Sequence, residues 1–92
     1  MVKHIVMWNL RQDAPTDAAS QMKEQLEALV GIVPGLVSAQ VGRGFNGFDV
    51  ALVSELESPE ALDIYQEHPA HCKVKAYVHS VVRERACCDF IV

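Results

Sequence analysis

The chain has 92 residues and a mass of 10.2 kDa, which at ~150 residues per domain makes one domain, residues 1–92. Half of the residues are apolar and 22% are charged, which excludes a disordered or low-complexity chain. Eight Lys and Arg against twelve Asp and Glu give a net charge of −4, which argues against a nucleic-acid partner; no apolar run approaches the ~18 residues of a membrane span.

The first strand is expected over residues 4–10, His4-Ile5-Val6-Met7-Trp8-Asn9-Leu10, closed by the turn-like Asp13-Ala14-Pro15. Alternation puts His4, Val6, Trp8 and Leu10 on one face and Ile5, Met7 and Asn9 on the other. Thr16 reads as an N-cap with Asp17 in the first turn. Ala19, Met22, Leu26, Leu29, Val30 and Val33 then form one helical stripe, and Pro34-Gly35 stops it. Such a helix of about 17 residues would be ~25 Å long, enough to cross a sheet.

A second strand is expected from Leu36 to Val41, with Val37, Ala39 and Val41 set against Leu36, Ser38 and Gln40. The run Gly42-Arg43-Gly44-Phe45-Asn46-Gly47 lacks the Lys-Ser/Thr of a phosphate loop and reads as a connection between strands. The third strand covers Phe48 to Leu56, with Val50 and Leu52 opposite Ala51 and Val53. Ser58-Pro59-Glu60 opens a second helix, with Ala61, Leu62 and Tyr65 on its apolar side.

His68-Pro69-Ala70-His71 interrupts that helix, because Pro69 pushes His68 out of the helical region and can itself open the next one. The third helix runs to about Val82, carrying Val74, Tyr77, Val78 and Val81, and Arg83 to Val92 closes the chain as a strand. The order βαββααβ predicts an α+β, ferredoxin-like fold: a four-stranded antiparallel sheet with its helices on one side.

His4 in the frame Val2-Lys3-His4-Ile5-Val6, the segment Tyr65-Gln66-Glu67-His68-Pro69-Ala70-His71, and Asp89-Phe90 near the end together resemble the stress-responsive A/B barrel (Dabb) family. The resemblance runs from Lys3 to Ile91, and Tyr-x-x-His-Pro-x-His is its most distinctive part. It implies a dimeric α/β-barrel in which two ferredoxin-like sheets pack face to face, without a cofactor. One activity of the family is a polyketide cyclase that performs a C2–C7 aldol condensation; many bacterial members have no assigned role, so the resemblance fixes the fold more firmly than the function. In cyclase-type members a histidine and a tyrosine form the acid–base pair, which implies His71 and Tyr65 here, with His4 beside them. The chain departs from the plant cyclase in the third strand, where Val50 lies near the position of another histidine. Plant members also hold a cation on backbone carbonyls at the end of the first helix, near Val30 and Val33 in this sequence.

His71 is the candidate proton-transfer residue, since an ordinary imidazole titrates near pH 7. Tyr65 offers a hydroxyl to a substrate carbonyl. With His4 they would form the catalytic set, and Val6, Trp8, Met22, Leu26 and Leu52 would line an apolar pocket for a small hydrophobic ligand. Asp89 could orient a histidine by accepting its second N–H. The plainer readings are a His4 bonded to a backbone carbonyl, a turn residue in His68, a helix-capping His71, a core aromatic in Tyr65 and a surface residue in His79. No metal site is expected, because Pro69 breaks the helix that would align His68 with His71.

Cys72, Cys87 and Cys88 are odd in number and include an adjacent pair, which reads as free thiols in a reducing cytoplasm. The opening Met1-Val2-Lys3-His4 leads into an alternating run rather than a signal-peptide pattern. Ile5, Met7, Val37, Ala39, Ala51, Val53, Cys88 and Phe90 are expected on the sheet face away from the helices, where a homodimer partner would cover them. The functional reading is a small acid–base cyclase, isomerase or lyase acting on oxygenated or polyketide-like compounds. The alternative is a non-catalytic, stress-associated or ligand-binding dimer.

Overall fold

Burial with a period of two marks the first strand in a computed structural model of the whole chain, residues 1–92: Val2, His4, Val6 and Trp8 are buried and Lys3, Ile5 and Met7 half-buried. The elements follow as β1 (Val2–Leu10), α1 (Ala18–Glu27), β2 (Leu36–Arg43), β3 (Val50–Leu56), α2 (Pro59–Glu67), α3 (Pro69–Val81) and β4 (Val82–Ile91). The four strands form one antiparallel sheet in the order β2-β3-β1-β4, the ferredoxin-like arrangement with three helices. On the helix side of the sheet, Val6 pairs with Leu52 and Trp8 with Val50, and these join Met22, Leu26, Tyr65, Val74 and Val78 in the core.

The first helix is shorter than its apolar stripe suggests. It begins after Asp17, not Thr16, and no side chain caps it. It ends at Glu27, and Gly31 then takes φ +90°, a left-handed conformation that only glycine adopts freely. Leu29 and Val33 stay buried because the turn folds back on itself, with the N–H groups of Ile32 and Val33 both bonded to the Leu29 carbonyl. Val30 is released to the surface. The stripe therefore outlasts the helix, since a compact turn can present the same apolar residues to the core.

Two corrections apply to the sheet face away from the helices. In β2 the register shifts between Leu36, which pairs with Leu56, and Ser38, which pairs with Glu55. Val37 is the extra residue of this bulge and points out at 44% exposure. The slip places Ala39 opposite Ser54, on the helix side and against the core, not on the outer face. The outer face carries Ile5, Met7, Ala51, Val53, Ala86, Cys88 and Phe90, with Lys3 and Glu55 at one end and the polar Ser38 and Gln40 along its β2 edge. Val53 and Phe90 are 39% and 47% exposed, and no helix of the chain packs over them.

Gly35 (φ +81°) immediately precedes β2, and a Cβ there would lie 2.7 Å from the Ala61 Cβ. This contact lets the N-terminal turn of α2 approach the sheet closely. Ser58 caps that helix by accepting from the Ala61 N–H at 3.1 Å, and Pro59 occupies its first position. Tyr65 then falls on the buried side of α2, at 0% exposure.

Candidate active site

Pro69 forces His68 into an extended conformation (φ −63°, ψ 133°), which ends α2 and starts α3. His68 caps the new helix: its Nδ1 accepts from the Ala70 N–H at 3.1 Å. It is a structural turn residue, and His71 sits inside the first turn of α3 instead of at its cap. The break brings Tyr65 and His71 together. Their rings stack at 3.9 Å with 22° between planes, and His71 Nδ1 donates to the Tyr65 backbone carbonyl at 2.9 Å. A carbonyl can only accept, so the proton is on Nδ1 and the lone pair is on Nε2.

His4 stands on β1, its ring edge-on to Tyr65 at 6.0 Å. Its cross-strand partner is Asp89 on β4, whose carboxylate is hydrogen-bonded to His4 Nδ1. This bond likewise leaves Nε2 as the acceptor. Asp89 therefore orients His4, not His71. Cys87 Sγ lies 3.9 Å from His4 Nδ1 and 3.7 Å from Asp89 Oδ1. The donor atoms of His4, Cys87 and Asp89 all fall within 4.8 Å of one another, a mixed N, S and O set. A cation there would have to displace the proton between His4 and Asp89. The candidate cation site at the end of α1 is poorer. The Val33 carbonyl already accepts from the Leu36 N–H, and a single Val30 carbonyl does not make an oxygen cage.

The two histidines and the tyrosine border a cavity of about 260 Å³. Val6, Trp8, Leu26 and Leu52 supply its apolar wall. Met22 does not reach it: this side chain is wholly buried in the core beneath. Gln66, Lys75, Val78, His79 and Arg85 also line it. Sequence reading missed these five. Val78 could have been found, because it already belongs to the apolar stripe of the third helix; Gln66 could not, because one residue along a helix from Tyr65 turns the side chain by about 100°. His79, a surface residue by its sequence, is both exposed and at the cavity rim.

Burial sets the electrostatics. It pushes the Tyr65 phenol up to about 12, partly offset by the Ser54 hydroxyl. The two hydroxyls are near neighbours, yet neither makes a hydrogen bond of normal geometry to the other or to any other group of the protein. His71 is pushed down to about 4, mainly by burial, with the Tyr65 carbonyl opposing the shift and Lys75, His4 and Arg85 adding to it. This differs from the expectation of an imidazole titrating near pH 7. At neutral pH, His71 is an uncharged hydrogen-bond acceptor and Tyr65 an uncharged donor. The site can therefore hold a carbonyl or enol oxygen at the phenol and offer lone pairs on two imidazoles to a neighbouring proton.

Residues 2–92 match the family described as Stress Responsive A/B Barrel Domain. No curated protein matches the sequence. Among solved structures, a dimeric protein of unknown function and ferredoxin-like fold from Bacteroides fragilis is 30% identical, with a TM-score of 0.89 over 99% of this chain and 95% of that one. A dimeric ferredoxin-like protein of unknown function from Thermobifida fusca is 22% identical, with a TM-score of 0.88 over 99% and 90%. A hydroxynitrile lyase from Passiflora edulis is 16% identical, with a TM-score of 0.87 over 99% and 92%, a likeness of fold.

Proposed function

The chain belongs to the stress responsive A/B barrel domain family, and on that premise we propose that it is a homodimeric enzyme moving a proton next to a carbonyl group. The reaction class is that of a cyclase, isomerase or lyase acting on an oxygenated compound, with catalytic residues His4, Tyr65 and His71. The carrying observation is Tyr65: it lines the cavity together with His4 and His71, its ring is stacked on one imidazole and edge-on to the other, and its buried hydroxyl makes no well-formed hydrogen bond in the protein. A buried hydroxyl without a partner costs about 1–3 kcal/mol, so a fold retaining one has a use for it.

In this reading the Tyr65 O–H donates to the substrate carbonyl oxygen and stabilises the enolate as it forms. An imidazole Nε2 takes the carbon-bound proton and returns it at the end. His4 suits that role because the Asp89 carboxylate would balance the imidazolium. His71, held neutral by burial, accepts a hydrogen bond from the substrate and fixes its orientation. Val6, Trp8, Leu26 and Leu52 bind the apolar part, and the chemistry needs no cofactor.

Homodimerisation is supported by the apolar outer sheet face and by the dimeric descriptions of the Bacteroides and Thermobifida structures. No helix is long and apolar enough to cross a membrane, and three free cysteines suit a reducing compartment such as the cytoplasm. The alternative is a dimer that binds a ligand without turning it over: His71, uncharged at neutral pH, would then serve only to hold the ligand.

The test is deuterium exchange into a panel of 1,3-dicarbonyl and acylphenol compounds in D₂O, followed by NMR. Exchange accelerated by the protein and abolished by Tyr65→Phe supports the enzyme. Ligand-dependent shifts of the Tyr65, His4 and His71 signals without any exchange would make the protein a binder.

A further inference from the structure

The cavity is charged against the trend of the molecule. The chain carries twelve acids and eight Lys or Arg residues. Lys75 and Arg85 nevertheless both line this cavity, and no Asp or Glu does; Arg85 also borders a shallow adjoining pocket that holds Glu84. Neither cation is in an ion pair: the five salt bridges use Lys3, His4, Arg11, Lys23 and Arg83. Lys75 Nζ donates to the Gln66 backbone carbonyl at 2.5 Å, which holds the ammonium at the rim. Arg85 is the cross-strand neighbour of Trp8, on the helix side of β4, and is exposed there. The nearby acid, Asp89, is committed to His4. Two cations without carboxylate partners thus stand at the mouth of a pocket with an apolar wall.

We propose that the ligand of this pocket is a carboxylate, its anionic group met by Arg85 and Lys75 and its ring or chain laid along Trp8, Val6 and Leu52. This rests on the proposed pocket and specifies its substrate class. A guanidinium presents paired N–H groups that match the two oxygens of a carboxylate, and an ammonium adds a point charge. At about 260 Å³ the cavity is slightly smaller than the ~300–1,000 Å³ usual for small-molecule sites, which limits it to a ligand of about one substituted ring. A carboxylate anchored at the mouth sets the depth of the ligand and so which of its carbons reaches Tyr65. Within a protein of net charge −4, local positive charge at one opening also draws an anion to that opening.

The experiment uses the full chain and its single tryptophan, Trp8, as reporter. Quenching or shift of Trp8 fluorescence is titrated with phenylacetate, phenylacetamide and phenyl phosphate at low and at 0.5 M NaCl. Phenylacetate should bind about tenfold tighter than the amide at low salt, and the gap should close at high salt. In the Lys75→Gln/Arg85→Gln double variant the acid should weaken to the affinity of the amide, while the amide binds as before, which also shows that the pocket is still folded. Equal affinity for acid and amide in the parent protein overturns the carboxylate assignment and leaves the pocket standing. Tighter binding of phenyl phosphate than of phenylacetate overturns it in favour of a phosphate ligand. If no compound perturbs Trp8 at millimolar concentration, the pocket reading falls and the carboxylate falls with it.

Discussion

The hydroxyls of Tyr65, on α2, and Ser54, on β3, are the two buried side-chain polar atoms of this fold without a hydrogen-bond partner in the protein. They belong to one region, since Ser54 acts on the Tyr65 phenol. Tyr65→Phe removes one orphan and keeps the ring stacked on His71. The variant should be as stable as the parent or more so, by about 1 kcal/mol, which raises Tm by ~4–8 °C in a domain of this size. Turnover should fall by ~10²–10³, the usual loss for one oxyanion donor. Thermal unfolding and the deuterium exchange assay check both halves. A Tm that drops by several degrees would mean that the hydroxyl has a structural partner after all.

Stability should depend on pH through His71. Its imidazole takes a proton near 6.5 when exposed and near 4 when folded. Between these values the unfolded chain binds more protons, so stability rises with pH across this window. It is fully present above about 6.5 and is lost as pH falls toward 4, by about 3 kcal/mol at most. Urea denaturation at pH 7.5 and 4.5 should show this loss, and His71→Gln should lack that part of it. Equal pH dependence in parent and variant would remove His71 as the cause.

Asp89 and His4 predict a positioning effect. In Asp89→Asn the side chain no longer fixes the Nδ1–H tautomer of His4, so Nε2 is no longer reliably the acceptor. The rate of deuterium exchange should fall by ~10²–10⁴ while ligand affinity changes little. The His4 ring nitrogens, read by ¹⁵N NMR, should show the altered tautomer. An unchanged ¹⁵N pattern with lost activity would assign Asp89 a direct role.

The outer sheet face should be an isologous interface. The protein should sediment at about twice 10.2 kDa at micromolar concentration. Val53→Lys places a charge in the middle of that face and should yield monomers. Cys88 provides a second readout: it should react slowly with thiol reagents in the dimer and quickly in the variant, while exposed Cys72 reacts quickly in both. A parent protein that sediments near 10 kDa would refute the interface.

How much of this was legible in the sequence follows from periodicity. The period of two in His4, Val6 and Trp8 places all three on the helix side, and the break at Pro69 separates α2 from α3. The end of α1 and the bulge at Val37 escaped, because each is a local departure that apolar spacing does not encode. In the site, His4, Tyr65 and His71 follow from the family resemblance together with the side-chain chemistry of the three residues. Which histidine Asp89 orients, and the place of Arg85, depend on β4 lying beside β1, and the place of Lys75 depends on how α3 packs over the sheet; both are tertiary facts. The downward shift of His71 depends on burial depth, which periodicity gives only as a side of a helix and never as a distance from water.

The anchor of His71 is the Tyr65 main chain and not its side chain. Six residues that cross a proline therefore carry their own positioning device. Any residue at 65 supplies the same carbonyl, so the imbalance between donor and acceptor at the site can be retuned by mutation at one position without misplacing the other. The two halves of the candidate chemistry are separable in evolution: a lineage could exchange the phenol for an apolar ring, lose the reaction, keep a correctly aimed imidazole, and pass from catalyst to receptor in a single step.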